Sequence, residues 1–345
     1  MAGKLKLPFQ YGFSILLVLL KGVEMLDLDQ TNLKWQTFDG SLPNGAVHIQ
    51  NDRRTDYVCK YGVQAGFYSP SLDPYCHYPY AEHELRITPF EILVNKDNFE
   101  ILEWKDGSYG SVPQNSVYTS SNKGIYVGKN QYGLGKVHVK NEAFFLAWGG
   151  SEYWYKHYQV LTVNRDIIRE HILDVKYITD GVQIIQDPPE SLDTSVITNS
   201  GCQEVTGTAS LEKKKQEDQR WDTSFSITTG VTTSMTAGIP DIASTTIGFS
   251  LETTFQFTTG TTISKSTTYK LSVEHTVPPN HSCSVNMVGR KHTADLPFTA
   301  NVQRTYRNGR TTSTSISGTY RGVQMGEIRA EVNRCEPLPH PKPCP

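Results

Sequence analysis

The sequence has no strong excess of either charge. Its 33 lysines and arginines nearly balance 35 aspartates and glutamates, which gives a formal net charge of −2. Proteins that bind nucleic acid usually carry a basic patch or stripe, so this balance argues against a nucleic-acid partner. At 345 residues, with 37% hydrophobic and 20% charged residues, the chain is long enough for two domains and is not typical of a disordered protein.

The sequence also lacks the short motifs of common hydrolases and metal sites. It has no Gly-x-Ser-x-Gly nucleophile elbow, and its nearest approach to the His-Glu-x-x-His zinc motif, residues 83–87, lacks the second histidine. The six cysteines have no metal-ligand spacing. We therefore expect no metal and no cofactor. A serine–histidine–aspartate triad depends on geometry and not on residue order, so a hydrolase stays open without any indicated catalytic residue.

The N-terminal apolar run, Phe13–Leu20, is too short to cross a membrane as a helix. It follows Lys4 and Lys6, and a basic start before a short apolar core is typical of a secretory signal peptide. No Ala-x-Ala site follows, so the cleavage point stays open. We predict a signal peptide over residues 1–22 and a secreted, extracellular protein.

The cysteines and one asparagine indicate the covalent modifications of a secreted protein. Six cysteines agree with an oxidising compartment but allow many complete pairings. We predict a local Cys59–Cys76 bond and a Cys202–Cys335 bond across the second half, with free buried thiols as the alternative. Asn280, which begins an Asn-His-Ser triplet, is the candidate for N-glycosylation.

A long stretch in the second half of the chain is almost free of charge. Between Thr223 and Ser264 the only charged residues are Asp241 and Glu252. Apolar and small polar residues alternate along this stretch, and side chains alternate across a strand, so one face is apolar and the other polar. We predict a hairpin over residues 224–258, called here the Thr-rich segment.

The apolar alternation of the Thr-rich segment is a mirror about Asp241. Facing residue numbers sum to 482, so that Met235 would face Ile247. A membrane-spanning strand needs roughly 9–11 residues with this pattern, and each arm is long enough. An ordinary hairpin with one buried face is the alternative, but its solvent face would usually be charged. The residues predicted to contact lipid are Phe225, Ile227, Val231, Met235, Ile239, Ile247, Phe249, Leu251, Phe255 and Phe257.

The first half of the chain contains an internal repeat. Trp35 aligns with Trp104, and residues 90–94 (FEILV) align with residues 158–162 (YQVLT). Short runs of Val, Tyr, Phe and Ile between Gly, Pro and Asn turns predict strands. We predict one pseudo-symmetric all-β domain over 32–165, with repeats at about 32–100 and 101–165, and a second domain over 166–345.

These motifs resemble the natterin family. The resemblance is carried by the stretches FEILVNKDNFEILEWKDGSYGSVPQNSV and YVGKNQYGLGKV and by the sequence DPPE before a Thr- and Ser-rich half. Natterins are secreted, toxin-like proteins with a DM9 repeat module and an aerolysin-like module. The resemblance implies an all-β fold in which a pseudo-symmetric DM9 domain precedes an elongated antiparallel aerolysin-like domain.

The resemblance also implies a function in two steps. DM9 modules in related proteins bind mannose-type glycans at cell surfaces. Aerolysin-like domains form homo-oligomers and insert a hairpin into membrane lipid as part of a β-barrel, and the Thr-rich segment stands where that hairpin is expected. Natterins are also associated with cleavage of kininogen, with kinin release, pain and oedema. A kininogen-cleaving protease and a lectin-like defence protein without a pore are therefore the alternatives.

Polar residues beside the repeated turns are the candidates for glycan binding. We predict that Asp39 acts with Lys60, and that Asp106 or Ser108 acts with Lys129, at equivalent places in the two repeats. A carboxylate and an ammonium group can hydrogen-bond neighbouring sugar hydroxyls. Because Ser108 has no carboxylate, one of the two sites is expected to be weaker.

Overall fold

The computed structural model describes residues 26–52, 54–120, 123–244, 246–258 and 260–344. The predicted signal peptide lies outside these ranges. Within them the helices are three short 3-10 turns at Leu28–Gln30, Lys96–Asn98 and Val139–Asn141. None of the helices described there is long and apolar enough to span a bilayer. The predicted all-β fold is confirmed.

The first half of the chain forms one antiparallel sheet of 14 strands. The strands are β1 (Leu33–Thr37), β2 (His48–Gln50), β3 (Thr55–Tyr61), β4 (Gln64–Tyr68), β5 (Cys76–Tyr80), β6 (His83–Ile87), β7 (Glu91–Asn95), β8 (Leu102–Ser108), β9 (Tyr118–Ser120), β10 (Ile125–Lys129), β11 (Leu134–His138), β12 (Ala143–Trp148), β13 (Ser151–Tyr155) and β14 (His157–Val163).

The order of these strands displays the internal repeat. It is β1-β7-β3-β4-β5-β6-β13-β12-β11-β10-β14-β8, with β2 on β3 and β9 on β10. Each strand of one half therefore has its equivalent at the mirrored place in the other half. Trp35 lies opposite Leu93, and Trp104 lies opposite Leu161. The sequence repeat corresponds to a pseudo-two-fold axis between β6 and β13.

The second half forms a sheet of ten strands and a separate two-stranded sheet. The strands are β15 (Ile167–Tyr177), β16 (Ile185–Gln186), β17 (Glu190–Asn199), β18 (Val205–Thr223), β19 (Thr233–Ala237), β20 (Pro240–Asp241), β21 (Gly248–Phe249), β22 (Thr253–Gln256), β23 (Thr261–Val277), β24 (His281–Tyr306), β25 (Thr311–Val332) and β26 (Glu336–Pro337). The main order is β22-β19-β15-β24-β25-β18-β23, and β16, β17 and β26 also pair with β24. Its pairs are antiparallel except β15 with β19, which run parallel.

The disulfide bonds agree with one predicted pair and contradict the other. Cys59–Cys76 joins β3 to β5 and is confirmed. The Cys202–Cys335 prediction is wrong, because the bonds are Cys202–Cys344 and Cys283–Cys335. Pairing of β26 with the start of β24 brings Cys335 beside Cys283, and the proline-rich tail then continues to Cys202. No free cysteine remains among the described residues.

Candidate functional site

The Thr-rich segment folds back onto the second sheet in short pieces. Its strands β19 and β22 pair with each other, β19 also pairs with β15, and β20 and β21 form a separate ladder. A turn in which the Val231 N–H donates to the Thr228 carbonyl (3.2 Å) interrupts the first arm. The two long, continuous arms predicted from the alternation are therefore not formed in this conformation.

The pairing within the segment also differs from the predicted mirror. Met235 lies opposite Phe255 and not opposite Ile247, and Asp241 pairs with Gly248. The turn of the hairpin lies beyond Asp241, because Ile242 is fully buried in the core. The predicted register is wrong for this folded state.

Most of the apolar face packs against the protein. Phe225, Met235 and Phe257 belong to a buried core that also contains Trp221 and Tyr320. Burial of these side chains stabilises the packed segment by a free energy of roughly 25 cal/mol for each Å² of apolar surface removed from water. Of the other predicted insertion residues, partly buried and packed on apolar clusters are Ile227, Val231, Ile239, Ile247 and Phe255.

The middle of the second arm is more open. Phe249 is 49% exposed and Leu251 is 90% exposed. The Tyr177 ring stacks on Phe249 with centroids 5.4 Å apart, and its hydroxyl donates to the Gly238 carbonyl at 2.9 Å. Burial raises the pKa of Tyr177 to about 12, although a hydrogen bond from Trp221 acts in the opposite direction. Tyr177 therefore contacts both arms.

The tip of the segment is held by side chains of β25. The Ile242 N–H donates to Oε1 of Gln324 at 2.8 Å, and Nε2 of Gln324 donates to the Pro240 carbonyl at 2.9 Å. Gly326 lies against the Ala243 carbonyl, and a Cβ at Gly326 would collide with that oxygen. A small residue is required there for the tip to dock.

The start of the segment is held by a buried carboxylate. Glu170, on β15, accepts from the Thr228 N–H (3.1 Å), the Thr228 hydroxyl (2.6 Å) and the Thr233 hydroxyl (3.0 Å). Arg304, on β24, donates to Glu170 and to Glu100, both at 2.8 Å. Glu100 belongs to the part of the chain that ends with β14, called here the first module. Sequence reasoning missed these residues, because they lie far apart in the chain and form no motif.

The two strands that flank the segment share the predicted register. Along the whole β18–β23 ladder the paired residue numbers sum to 482, from Val205 with Val277 to Trp221 with Thr261. Within the segment, pairs between β19 and β22 sum to 490 instead. The mirror in the sequence therefore continues the flanking ladder and not the pairing of the folded segment.

A second candidate site is a cavity of about 860 Å³ in the second repeat, lined by Asp106 and Lys129. The Gln159 amide donates to Asp106 at 3.1 Å, and the Lys129 ammonium lies 4.8 Å from the centroid of the Trp104 ring. Burial lowers the pKa of Lys129. Aromatic rings and hydrogen-bonding groups converge here, as expected for a polar ligand with flat faces. The full lining is Asp106, Gly107, Lys129, Asn130, Gln131, Tyr132, Tyr155, His157, Tyr158 and Gln159.

The equivalent place in the first repeat is filled. Phe38 is the equivalent of Gly107. The Phe38 N–H donates to the Phe90 carbonyl (2.9 Å), and Gly107 pairs with Tyr158 at the corresponding place in the second repeat. The Phe38 ring stacks on Phe90 with centroids 4.8 Å apart. The repeats thus share a backbone but differ in the space they leave for a ligand.

The two residues predicted to bind a glycan in the first repeat contact other groups. Lys60 pairs with Glu91 at 3.2 Å, where the second repeat has Gln159. The Asp39 carboxylate accepts from the N–H and hydroxyl of Ser41 (3.1 and 2.9 Å), and these bonds lower the pKa of Asp39. Asp106 and Lys129 line one cavity, whereas Asp39 and Lys60 each have a different partner.

The buried His77 side chain lies between two carboxylates. Its ring nitrogens lie 2.8 Å from Asp73 and 2.7 Å from Glu84. Burial opposes the charged ring, but hydrogen bonds to Glu84 and Asp73 raise the pKa of His77 above its usual value. Both nitrogens are occupied by carboxylates, so His77 has none left to activate a nucleophile. Kininogen cleavage stays a prediction from the family resemblance.

Similarity to known proteins is high over most of the chain. Residues 51–138 match the DM9 repeat family. Natterin-3 from Thalassophryne nattereri is 52% identical over 319 residues, which cover 91% of this chain and 87% of natterin-3. Natterin-1 from the same species is 46% identical over 321 residues, which cover 92% of this chain and 90% of natterin-1. The chain belongs to the natterin family.

Solved structures resemble this natterin-family chain more loosely. The lamprey immune protein has a TM-score of 0.44 and 16% sequence identity, and the match covers 88% of this chain and 98% of that protein. An aerolysin-like protein from Bombina maxima has a TM-score of 0.30 and 15% identity, with 49% and 100% covered.

Proposed function

We propose that this protein is a secreted, toxin-like pore-forming protein whose Thr-rich segment becomes a membrane-spanning hairpin. The observation that carries the proposal is the shared register of the segment's sequence and the β18–β23 ladder. Extending that ladder by its own pairing places Met235 opposite Ile247 and Asp241 at the tip. The folded segment has a different register, so its sequence pattern is better explained by a second, extended conformation.

The extended conformation also keeps the apolar side chains on one face. Odd-numbered residues of β18, such as Gln219 and Trp221, point into the core, and the apolar residues of the segment before Asp241 and after Thr246 are odd-numbered too. A continuous ribbon would therefore have one apolar face and one face of Ser, Thr and Gly. This is the alternation of a barrel strand with lipid on one side and water on the other.

Pore formation requires several copies of the chain. A single hairpin in lipid would leave unpaired backbone groups along both edges, and only closure into a barrel satisfies them. β23 is an edge strand of the second sheet and presents such groups to a second copy. We propose a homo-oligomeric ring in which each copy contributes one hairpin.

Dye release from phospholipid vesicles that carry mannose-type glycolipid tests this function. Ile247→Arg places a charge on the proposed lipid face, at a cost of roughly 2–4 kcal/mol per strand near mid-bilayer, repeated in every subunit. We expect release to fall to background. Thr246→Arg, on the neighbouring polar-face position, should keep most of it. Equal release by the wild-type protein and Ile247→Arg would remove the segment from the mechanism.

We propose that the cavity of the second repeat binds a cell-surface glycan of the mannose type. Its support is the pairing of Asp106 and Gln159 beside Lys129, with three tyrosines in the lining. The glycan would concentrate the protein at the membrane before assembly. Because Phe38 fills the equivalent place in the first repeat, one site per chain is expected.

Binding to immobilised mannose oligomers tests the glycan site. Lys129→Gln should weaken binding at least tenfold, because it removes the only ammonium donor in the lining. Lys60→Gln is the matched control in the first repeat and should bind like the wild type. Weaker binding by Lys60→Gln with unchanged binding by Lys129→Gln would place the site in the first repeat instead. Glycan binding by a protein that never permeabilises vesicles would favour the lectin-like alternative.

A further inference from the structure

A buried charge network connects the two modules to the start of the Thr-rich segment. Arg304 is fully buried, and its guanidinium lies between the carboxylates of Glu100 and Glu170 at 2.8 Å each. Glu100 comes from the first module, between β7 and β8, whereas Glu170 and Arg304 come from the sheet of the second. The network therefore crosses the interface between the modules.

The segment itself is the fourth member of the network. The Thr228 hydroxyl donates to Glu170 (2.6 Å) and accepts from Nη2 of Arg304 (3.1 Å). The same guanidinium lies 4.3 Å from the Phe99 ring centroid and 5.5 Å from that of Phe225. One cation thus contacts the first module through Phe99 and the segment through Phe225.

The network is not fully satisfied. Oε2 of Glu100 is buried and has no hydrogen-bond partner within the described part of the chain. Its other oxygen accepts from Arg304 and from the Asn32 N–H at 2.7 Å. A buried charged group with an unpaired oxygen loses solvation without full compensation, so this arrangement is less stable than a closed network would be.

We propose that Glu100 is a positioning residue through which the first module holds the Thr-rich segment in its folded state. Glu100 fixes Arg304, and Arg304 fixes Glu170 and the Thr228 hydroxyl. Displacement of the Glu100 loop, as when the first module is pulled against a membrane, leaves Arg304 and Glu170 to hold Thr228 alone. This inference rests on the proposed function and assigns the first module a second role, as the restraint on insertion.

Hydrogen–deuterium exchange in solution, without vesicles, measures this restraint directly. Glu100→Gln keeps the shape of the side chain and removes its charge. We expect amide exchange over residues 227–239 to rise at least tenfold in Glu100→Gln. The matched control is Asp56→Asn, which removes another fully buried carboxylate that pairs with an arginine (Arg54, 2.6 Å) in the first module. It should leave exchange in the segment unchanged.

A double mutant separates a specific restraint from general loosening. Thr228→Val removes the hydroxyl with little change of shape, and it should raise exchange in the segment by itself. Combined with Glu100→Gln it should add little, because both changes break the same chain of contacts. The proposal would be overturned if the two substitutions raised exchange by independent factors that multiply in the double mutant. An equal rise of exchange in Asp56→Asn would also overturn it. Dye release by the same variants measures pore formation separately. The exchange result can therefore be interpreted even if the protein forms no pore.

Discussion

The two arms of the Thr-rich segment are held very differently. The first arm buries Phe225 and Met235 and is bonded to Glu170 through two threonines. The second arm buries Phe257 at its end but leaves Leu251 90% exposed, and its strand β22 lies at the edge of the sheet. From this difference we expect the second arm to leave the sheet before the first.

The largest effect is expected from joining the arms in their folded register. Thr236 and Thr254 lie opposite each other, with hydroxyl oxygens 2.7 Å apart, and paired residues of an antiparallel ladder are close enough for a disulfide. Oxidised Thr236→Cys/Thr254→Cys should lose dye release, because the arms can no longer change their register. Each single cysteine variant is the control and should release dye normally. Full release by the oxidised double variant would show that the register does not change.

A moderate effect is expected from truncating one ring on each arm. Phe225→Ala should destabilise the fold by about 3–5 kcal/mol, because it empties a buried site beside Phe99 and Arg304. Phe249→Ala should cost less than about 1 kcal/mol, since the ring is half exposed. Urea unfolding followed by tryptophan fluorescence measures both values. Similar costs for the two variants would remove the asymmetry between the arms.

A smaller effect than the loss of Phe225 concerns Tyr177, which contacts both arms. Its raised pKa, about 12, means that folding favours the neutral phenol. The corresponding stability is complete below the unfolded value near 10 and is lost as the pH rises towards 12. By pH 11 this alkaline loss should reach about 1.4 kcal/mol in the wild type, and Tyr177→Phe should lack this contribution. Urea midpoints between pH 8 and 11 that fall in parallel for both proteins would contradict this assignment.

The sequence was sufficient to predict the fold class and the pattern of the segment. Periodicity of two and turn residues indicate strands directly, and the spacing of Trp35 and Trp104 reflects the real equivalence of β1 and β8. The register of the folded segment was not predictable, because the burial of Ile242 against Gln324 depends on tertiary packing.

The parts that sequence reasoning missed depend on residues distant in the chain. Glu100, Glu170 and Arg304 meet only when both modules are assembled, and no local motif indicates them. The Cys283–Cys335 bond follows from the pairing of a two-residue strand, which is too short to predict. The glycan site was predicted in both repeats because the alignment shows Lys60 and Lys129 as equivalent, whereas packing makes them different.

We propose that the segment takes the register of β18 and β23 when it enters a membrane. Thr236→Cys/Thr246→Cys places the cysteines opposite each other only in that register, where residue numbers sum to 482. Oxidation of vesicle-bound protein should yield this disulfide, detected by mass spectrometry, and oxidation of the protein in solution should not. The opposite result would contradict this change of register. In that case Thr236→Cys/Thr254→Cys would form its disulfide with equal yield in solution and on vesicles, and Thr236→Cys/Thr246→Cys would form none.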